Sequence, residues 1–238
     1  MPEKSSQSPS HSSSVPWDDV VRFVRQLSHD LRNDLNALEL QSAYISELTQ
    51  DQELQNEIKR LREVVSGLNS TLQRLSRAVG EVRPNMIAYQ ASEFLADMRT
   101  QTDRNFSKER DQITWDMQAE GMLNLDPQLF QEVFVELFAN AFRHGRGNGP
   151  LLANARIKGD RLLFSLHEPK ADFNSSTQNW GRQPLQHISQ RHYGLVLNRV
   201  RAIVEAHGGE LHARYDPKTS ALTTILRLPV ASESSKDV

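Results

Sequence analysis

The sequence predicts an α+β protein. An antiparallel helical hairpin, paired with a second copy into a four-helix bundle, precedes an α/β sandwich with a mixed sheet and helices on one face. Three observations carry this. Between Leu54 and Val79 apolar residues recur at spacings of 4 and 3 without a break. The periodicity changes once, between Gly80 and Pro84. Beyond that point helical and alternating segments are interleaved, without regular strand–helix–strand units.

Residues 1–16 hold seven Ser and three Pro with almost nothing to bury, and residues 231–238 are similar, so both read as disordered tails. Residues 17–48 read as a helix from Val20, Val24, Leu27, Leu31, Leu35, Leu38, Ile45 and Leu48. A turn at Thr49-Gln50-Asp51-Gln52 leads to a second helix with Leu54, Ile58, Leu61, Val65, Leu68, Leu72, Leu75 and Val79 as a coiled-coil seam. One hairpin cannot cover this seam together with Val21, Phe23, Tyr44 and Val64. A homodimer through residues 17–83 is therefore expected; packing against the chain's own second domain is the alternative.

The second domain spans residues 84–230. Residues 91–106 read as a helix, and 112–117 as a strand with 121–125 as its partner. Asp126-Pro127 opens a helix, with Asp as cap and Pro in the first turn. Segments 151–157 and 162–166 form a hairpin across Lys158-Gly159-Asp160, and 167–192 read as a long loop. A helix over 193–206 stops at His207-Gly208-Gly209, and strands 210–215 and 221–228 close the chain.

Composition narrows the function. The chain has 238 residues, 37% hydrophobic and 24% charged, with a formal charge of −2. Its mass is 27.1 kDa and its mean hydropathy −0.59. The absence of a basic excess argues against nucleic acid as a partner. No apolar run approaches the ~20 residues that span a bilayer, and the first sixteen residues form no signal peptide. Cys is absent, which excludes disulfides, cysteine nucleophiles and thiolate metal sites. A cytoplasmic protein without a membrane partner is expected.

Two stretches carry chemistry. In Leu27-Ser28-His29-Asp30-Leu31-Arg32-Asn33-Asp34, the seam residues Leu27 and Leu31 leave His29 on the outward side of its helix. An exposed neutral imidazole there can attack phosphorus; Asp30 can orient the ring or take its second proton, and Asn33 lies one turn on. In the second stretch, Glu136, Asn140, Arg143 and His144 recur at helical spacing opposite the apolar stripe. Asn140 can offer an oxygen to Mg²⁺, Glu136 can hold a metal-bound water, and Arg143 or His144 can meet phosphate. Taken alone, the first stretch reads rather as an ordinary solvated helix face, and the second is as readily a polar helix face as a site.

Together, in this order and separation, they resemble the transmitter core of bacterial two-component histidine kinases, over about residues 17–230. Ser28-His29-Asp30-Leu31-Arg32-Asn33 is similar to the family's H box, and Asp126-Pro127 through Glu136-Leu137-Phe138-Ala139-Asn140-Ala141-Phe142-Arg143-His144 to its N box. Val200 through Leu211 is similar to the helix and strand that follow the ATP lid. The resemblance implies a dimerising hairpin with His29 as phosphoacceptor, then a Bergerat-type ATP-binding domain.

The departures are in the second half. Where the family has Asp-x-Gly-x-Gly, with the Asp receiving the adenine amino group, this chain has Glu168-Pro169-Lys170-Ala171-Asp172. Glu168 is a methylene longer than Asp, and Lys170 and Asp172 replace both glycines. Where the family has Gly-x-Gly-Leu-Gly-Leu, His192-Tyr193-Gly194-Leu195-Val196-Leu197 keeps only Gly194. At the H box Asp34 replaces a Pro, which places a second carboxylate near His29. The expected function is phosphate passage between His29 and an aspartate on a response-regulator receiver domain, by a kinase-derived histidine phosphotransferase or phosphatase. Mg-ATP binding is expected to be weak or absent, and an upstream kinase is a further partner this reading allows. The alternatives are an active cytoplasmic sensor kinase with an unorthodox ATP site and a non-catalytic dimeric scaffold for receivers.

Overall fold

The computed structural model describes residues 15–143, 146–170, 173, 176–182 and 195–231. Both tails beyond these limits, and most of the expected 167–192 loop, lie outside the described residues. The chain divides into two compact units, Met1–Gly80 and Glu81–Val238.

The first unit is the hairpin. Helix α1 (Trp17–Leu48) opens with Asp18 and Asp19 in its first turn, where acidic groups complement the helix dipole. Helix α2 (Gln52–Ala78) is capped by Asp51, whose carboxylate accepts from the Glu53 N–H at 2.8 Å and the Leu54 N–H at 3.3 Å. Ser28, Leu35 and Ser42 on α1, and Ile58 and Val65 on α2, are the buried positions of this pair. The α2 repeat thus separates into two stripes. Ile58 and Val65 close the hairpin, whereas Leu54, Leu61 and Leu68 remain 43%, 48% and 51% exposed. On α1 the large residues Leu27, Leu31, Leu38, Ile45 and Leu48 are likewise exposed, and only the intervening Ser–Leu–Ser line is covered.

The second unit runs β1 (Ile87–Gln90), α3 (Ala91–Asn105), β2 (Ile113–Gln118), β3 (Met122–Leu125), α4 (Pro127–Arg143), β4 (Leu151–Lys158), β5 (Arg161–Pro169), α5 (Val196–Ala206), β6 (Glu210–Asp216) and β7 (Ala221–Pro229). A five-stranded mixed sheet has the order β2-β4-β5-β7-β6, with β2 parallel to β4 and the other pairs antiparallel. Its core contains Phe94 and Met98 from α3, Phe130, Phe134 and Phe138 from α4, and Val200, Ile203 and Val204 from α5. These meet the inward side chains of β5, Leu162, Phe164 and Leu166, with Phe134 edge-on to Phe164 at 4.9 Å.

Two expectations are corrected here. The 121–125 segment does not pair with the 112–117 strand. As β3 it pairs antiparallel with β1, a strand not read from the sequence, and the two form a separate sheet. At four residues, β1 is too short to show a period. The expected long loop also starts too early: β5 continues to Pro169, so His167 and Glu168 are strand residues paired to Thr223 and Leu222 of β7. Polar side chains concealed that extension, because a continuing alternation of buried and half-buried sites does not require apolar residues at both.

Asp126 and His207 tie three segments together. Asp126 accepts from the N–H groups of Gln128 and Leu129, capping α4, and from the Asn85 N–H at 2.8 Å. His207, 3% exposed at the end of α5, donates from Nδ1 to the Ile203 carbonyl (2.7 Å). Its Nε2 accepts the Asp126 N–H (3.0 Å), and its ring stands edge-on to Phe130. Gly209 follows because a Cβ there would lie 2.6 Å from the Arg227 carbonyl oxygen.

Burial acts to raise the Asp126 carboxyl, but the N–H groups of Asn85, Leu129 and Gln128, with His207, outweigh it and hold the group below the usual carboxylate range. Its stabilisation is fully present above the unfolded value and is lost as pH falls through the lower folded one. Asp126→Ala is expected to cost about 2–3 kcal/mol in urea unfolding, by removing a cap and leaving a part-buried N–H unpaired. Asp126→Asn is expected to flatten the acid limb of the stability curve; an unchanged limb would show that another carboxylate governs it.

Candidate active site

On the first unit, His29 is exposed and its Nδ1 stands 3.2 Å from Asp30 Oδ1. A carboxylate only accepts, so Nδ1 is the donor in this contact, and a neutral ring making it holds its lone pair on Nε2. Gln26 Nε2 donates to the same Asp30 oxygen at 2.8 Å. The hydrogen bond from Gln26, followed by that from His29, holds the Asp30 carboxyl below the usual range, so it remains an anion beside the ring. Asn33 is exposed one turn along the same face. Asp34 does not join them: five residues on, it is rotated by about 140° around the helix from His29. Leu40 and Tyr44, 73% and 62% exposed, lie on the His29 stripe further along α1.

On the second unit, α4 turns Glu132, Glu136 and Asn140 to one side at one-turn intervals. Arg199 of α5 pairs with Glu132 at 3.1 Å. Glu136 and Asn140 are half-buried, and Asn140 Nδ2 is buried without a hydrogen-bond partner among the described residues. Arg143, exposed, instead lines a cavity of about 430 Å³ with Phe106, Lys108 and Phe142. Glu136, Asn140 and Glu168 are not in that lining. His144 and Gly194 lie outside the described residues. Among those described, no three His, Asp or Glu side chains gather as a metal site.

Glu168 follows Leu162, Phe164 and Leu166 in the inward alternation of β5, so it enters the helix-covered face. It is 6% exposed and Lys170, two residues on, 4%. Lys170 Nζ stands 3.2 Å from Glu168 Oε2, at ion-pair distance. The approach is poorly aligned, since Oε2 gains no well-formed hydrogen bond. Burial pushes the Glu168 carboxyl up, and the Lys170 charge opposes this only in part. Glu168 is held by its pairing with Leu222 of β7, Pro169 accepts from the Gly147 N–H at 2.8 Å, and the Lys170 N–H donates to Ser220 O at 2.7 Å. An adenine nucleotide, which the resemblance implies, does not fit this arrangement. The carboxylate that would receive the adenine amino group already faces a cation of its own chain.

Sequence reading placed Glu168 and Lys170 separately, as two damaged positions. The i, i+2 spacing in extended chain at the end of β5 is the signal that joins them. Arg201 was not singled out. It is 8% exposed and donates to the Trp180 carbonyl (2.6 and 2.8 Å) and to the Leu211 carbonyl (2.6 Å). It thereby holds residues 176–182 against α5 and β6. Nothing in an amphipathic helix pattern marks such a residue.

No protein-family model matches the chain. It is 27% identical over 220 residues to a bacteriophytochrome of Pseudomonas aeruginosa, covering 88% of this chain and 29% of the relative. It is 25% identical over 223 residues to the alginate biosynthesis sensor protein KinB of the same species (87% and 36%). It is 23% identical over 235 residues to an uncharacterized sensor-like histidine kinase of Rhizobium meliloti (92% and 44%). The chain thus spans less than half of these relatives. Among solved structures, full-length ShkA in complex with AMPPNP superposes with a TM-score of 0.66 at 16% identity, covering 88% of this chain and 46% of that one. The Acinetobacter baumannii histidine kinase AdeS gives 0.51 at 17% identity, covering 85% and 98%.

Hairpin and mixed-sheet domain together have the fold of these histidine kinase structures, and the chain is similar in sequence to sensor histidine kinases over most of its length. Among its described residues no helix is long and apolar enough to cross a membrane.

Proposed function

We propose that this chain exchanges phosphate between His29 and an aspartate of a response-regulator receiver domain, as a kinase-derived histidine phosphotransferase or phosphatase that does not depend on ATP. The carrying observation is the contrast between its two halves. His29 is exposed, in contact through Nδ1 with an anionic Asp30, and followed one turn on by Asn33. Glu168 is buried in an ion pair.

The chemistry needs little else. Nε2 attacks the phosphorus of the receiver's aspartyl phosphate, a P–N bond forms, and the P–O bond to the acyl group breaks. The receiver carboxylate leaves with the electron pair. The attacking nitrogen has no proton to lose, and the positive charge gained by the ring is met by Asp30 through Nδ1–H. Holding the two groups in line supplies most of the acceleration in phosphoryl transfer. Leu40 and Tyr44 give the receiver an apolar foothold on the His29 stripe. Asn33 orients a water for hydrolysis of the receiver phosphate, so Asn33→Ala is expected to slow hydrolysis and spare transfer.

A homodimer supports this reading. Leu27, Leu31, Leu38 and Ile45 with Leu54, Leu61 and Leu68 leave a continuous apolar face that a second hairpin covers. The functional domains are then 17–83 and 84–230, in the cytoplasm. An active kinase draws its support from Asn140, whose buried amide has no hydrogen-bond partner among the described residues and suits a polar ligand. Calorimetric titration with Mg-ATP separates the two. Dissociation weaker than ~1 mM, about −4 kcal/mol, is expected. Tight Mg²⁺-dependent binding with label arriving at His29 would return the kinase.

A further inference from the structure

We propose that Lys170 is a built-in occupant of the nucleotide pocket, its ammonium standing against Glu168 where an adenine amino group would otherwise be received. This deepens the reading above and rests on it. The loss of ATP binding then has a defined device, a resident cation, rather than general decay of glycine-rich loops.

Four observations meet here. Glu168 near the end of β5 and Lys170, bridged to Arg146 just past that end, stand at i, i+2 in extended chain, so the backbone delivers both side chains to the same side. Both are almost wholly buried, which is rare for either residue type unless paired. The ion-pair distance is 3.2 Å, and the Lys170 backbone is pinned to Ser220, so the ammonium is placed rather than swinging from a loop. The pairing is imperfectly aligned, which fits a lysine inserted beside a carboxylate shaped for another partner.

The chemistry is substitution in kind. An exocyclic amino group offers a carboxylate one neutral N–H. A lysine ammonium offers up to three, with a full charge. A ligand with a neutral amine can displace it only by breaking the buried ion pair and putting an uncharged donor in place of a charged one. Selectivity against adenine nucleotides is thereby written into two residues.

The test is calorimetry and fluorescence titration of the full chain with Mg-ATP, comparing wild type with Lys170→Gly and with Glu168→Asp/Lys170→Gly. The wild type is expected to show no saturation up to ~1 mM. The variants are expected to gain at least tenfold in affinity, the double variant more. If wild type and folded variants are equally silent, Lys170 is not the obstacle and the inference fails, while the ATP-independent reading stands. If the wild type itself binds tightly, that reading fails first and the inference with it. Lys170→Met, which preserves bulk, covers the case in which glycine variants do not fold. With Glu side chains carboxyl-labelled with ¹³C, Glu168 is expected to titrate at higher pH in Lys170→Met than in wild type; an unchanged titration overturns the pairing.

Discussion

His29→Gln is expected to abolish phosphate uptake from a phosphorylated receiver domain while leaving receiver binding within about twofold of wild type. The loss is complete because the amide has no lone pair on nitrogen that can attack phosphorus, so the variant removes the bond-forming atom. Binding survives because Gln fills nearly the same volume at an exposed helix position and Leu40 and Tyr44 are untouched. The readout is label on both partners, with receiver affinity measured separately. Label on the variant at the wild-type rate would place the acceptor elsewhere. Asp30→Ala is the companion. It leaves Nε2 in place but removes the carboxylate in contact with Nδ1, so slower transfer is expected rather than none.

Leu61→Asp and Val65→Asp are expected to fail in different ways, although they stand four residues apart in one repeat. Val65 is 2% exposed within a single hairpin, so a carboxylate there enters the α1–α2 contact and unfolds the first unit. Leu61 is 48% exposed in one chain and is covered only by the proposed partner. Its Asp variant leaves the hairpin's own contacts intact and buries a charge in the dimer interface of each chain. At ~3 kcal/mol per unpaired buried charge, two copies weaken the dimer by about four orders of magnitude. Sedimentation and circular dichroism read these separately: a helical monomer for Leu61→Asp and lost helix for Val65→Asp. A wild-type monomer at micromolar concentration would remove the dimer.

Much of this was legible in the sequence, for identifiable reasons. The hairpin could be read because 4-3 spacing over a whole helix has few other solutions, and α4 because Asp126-Pro127 supplies both start signals. What the repeat did not reveal is its division into Ile58–Val65 and Leu54–Leu61–Leu68, since both stripes are equally apolar. The β1–β3 pair was missed because pairing between four-residue strands depends on where tertiary contacts bring them. His29, Asp30 and Asn33 could be placed from helix geometry alone, and the same geometry excludes Asp34. Glu168 and Lys170 were noticed as misfits to a motif. Their pairing depended on knowing that β5 extends to Pro169, which polar side chains conceal. His207, read from the sequence only as part of a helix stop, is a buried two-way hydrogen-bond junction that the sequence does not mark, because its partners lie 4 and 81 residues away.

The most direct measurement supplies wild-type protein with phosphate from two sources in parallel, labelled receiver domain without ATP and labelled Mg-ATP without receiver, and maps the modified residue by mass spectrometry. The account predicts acid-labile label on His29 from the receiver and none from Mg-ATP. Label on His29 from Mg-ATP alone, or receiver-derived label on any other residue, would contradict it.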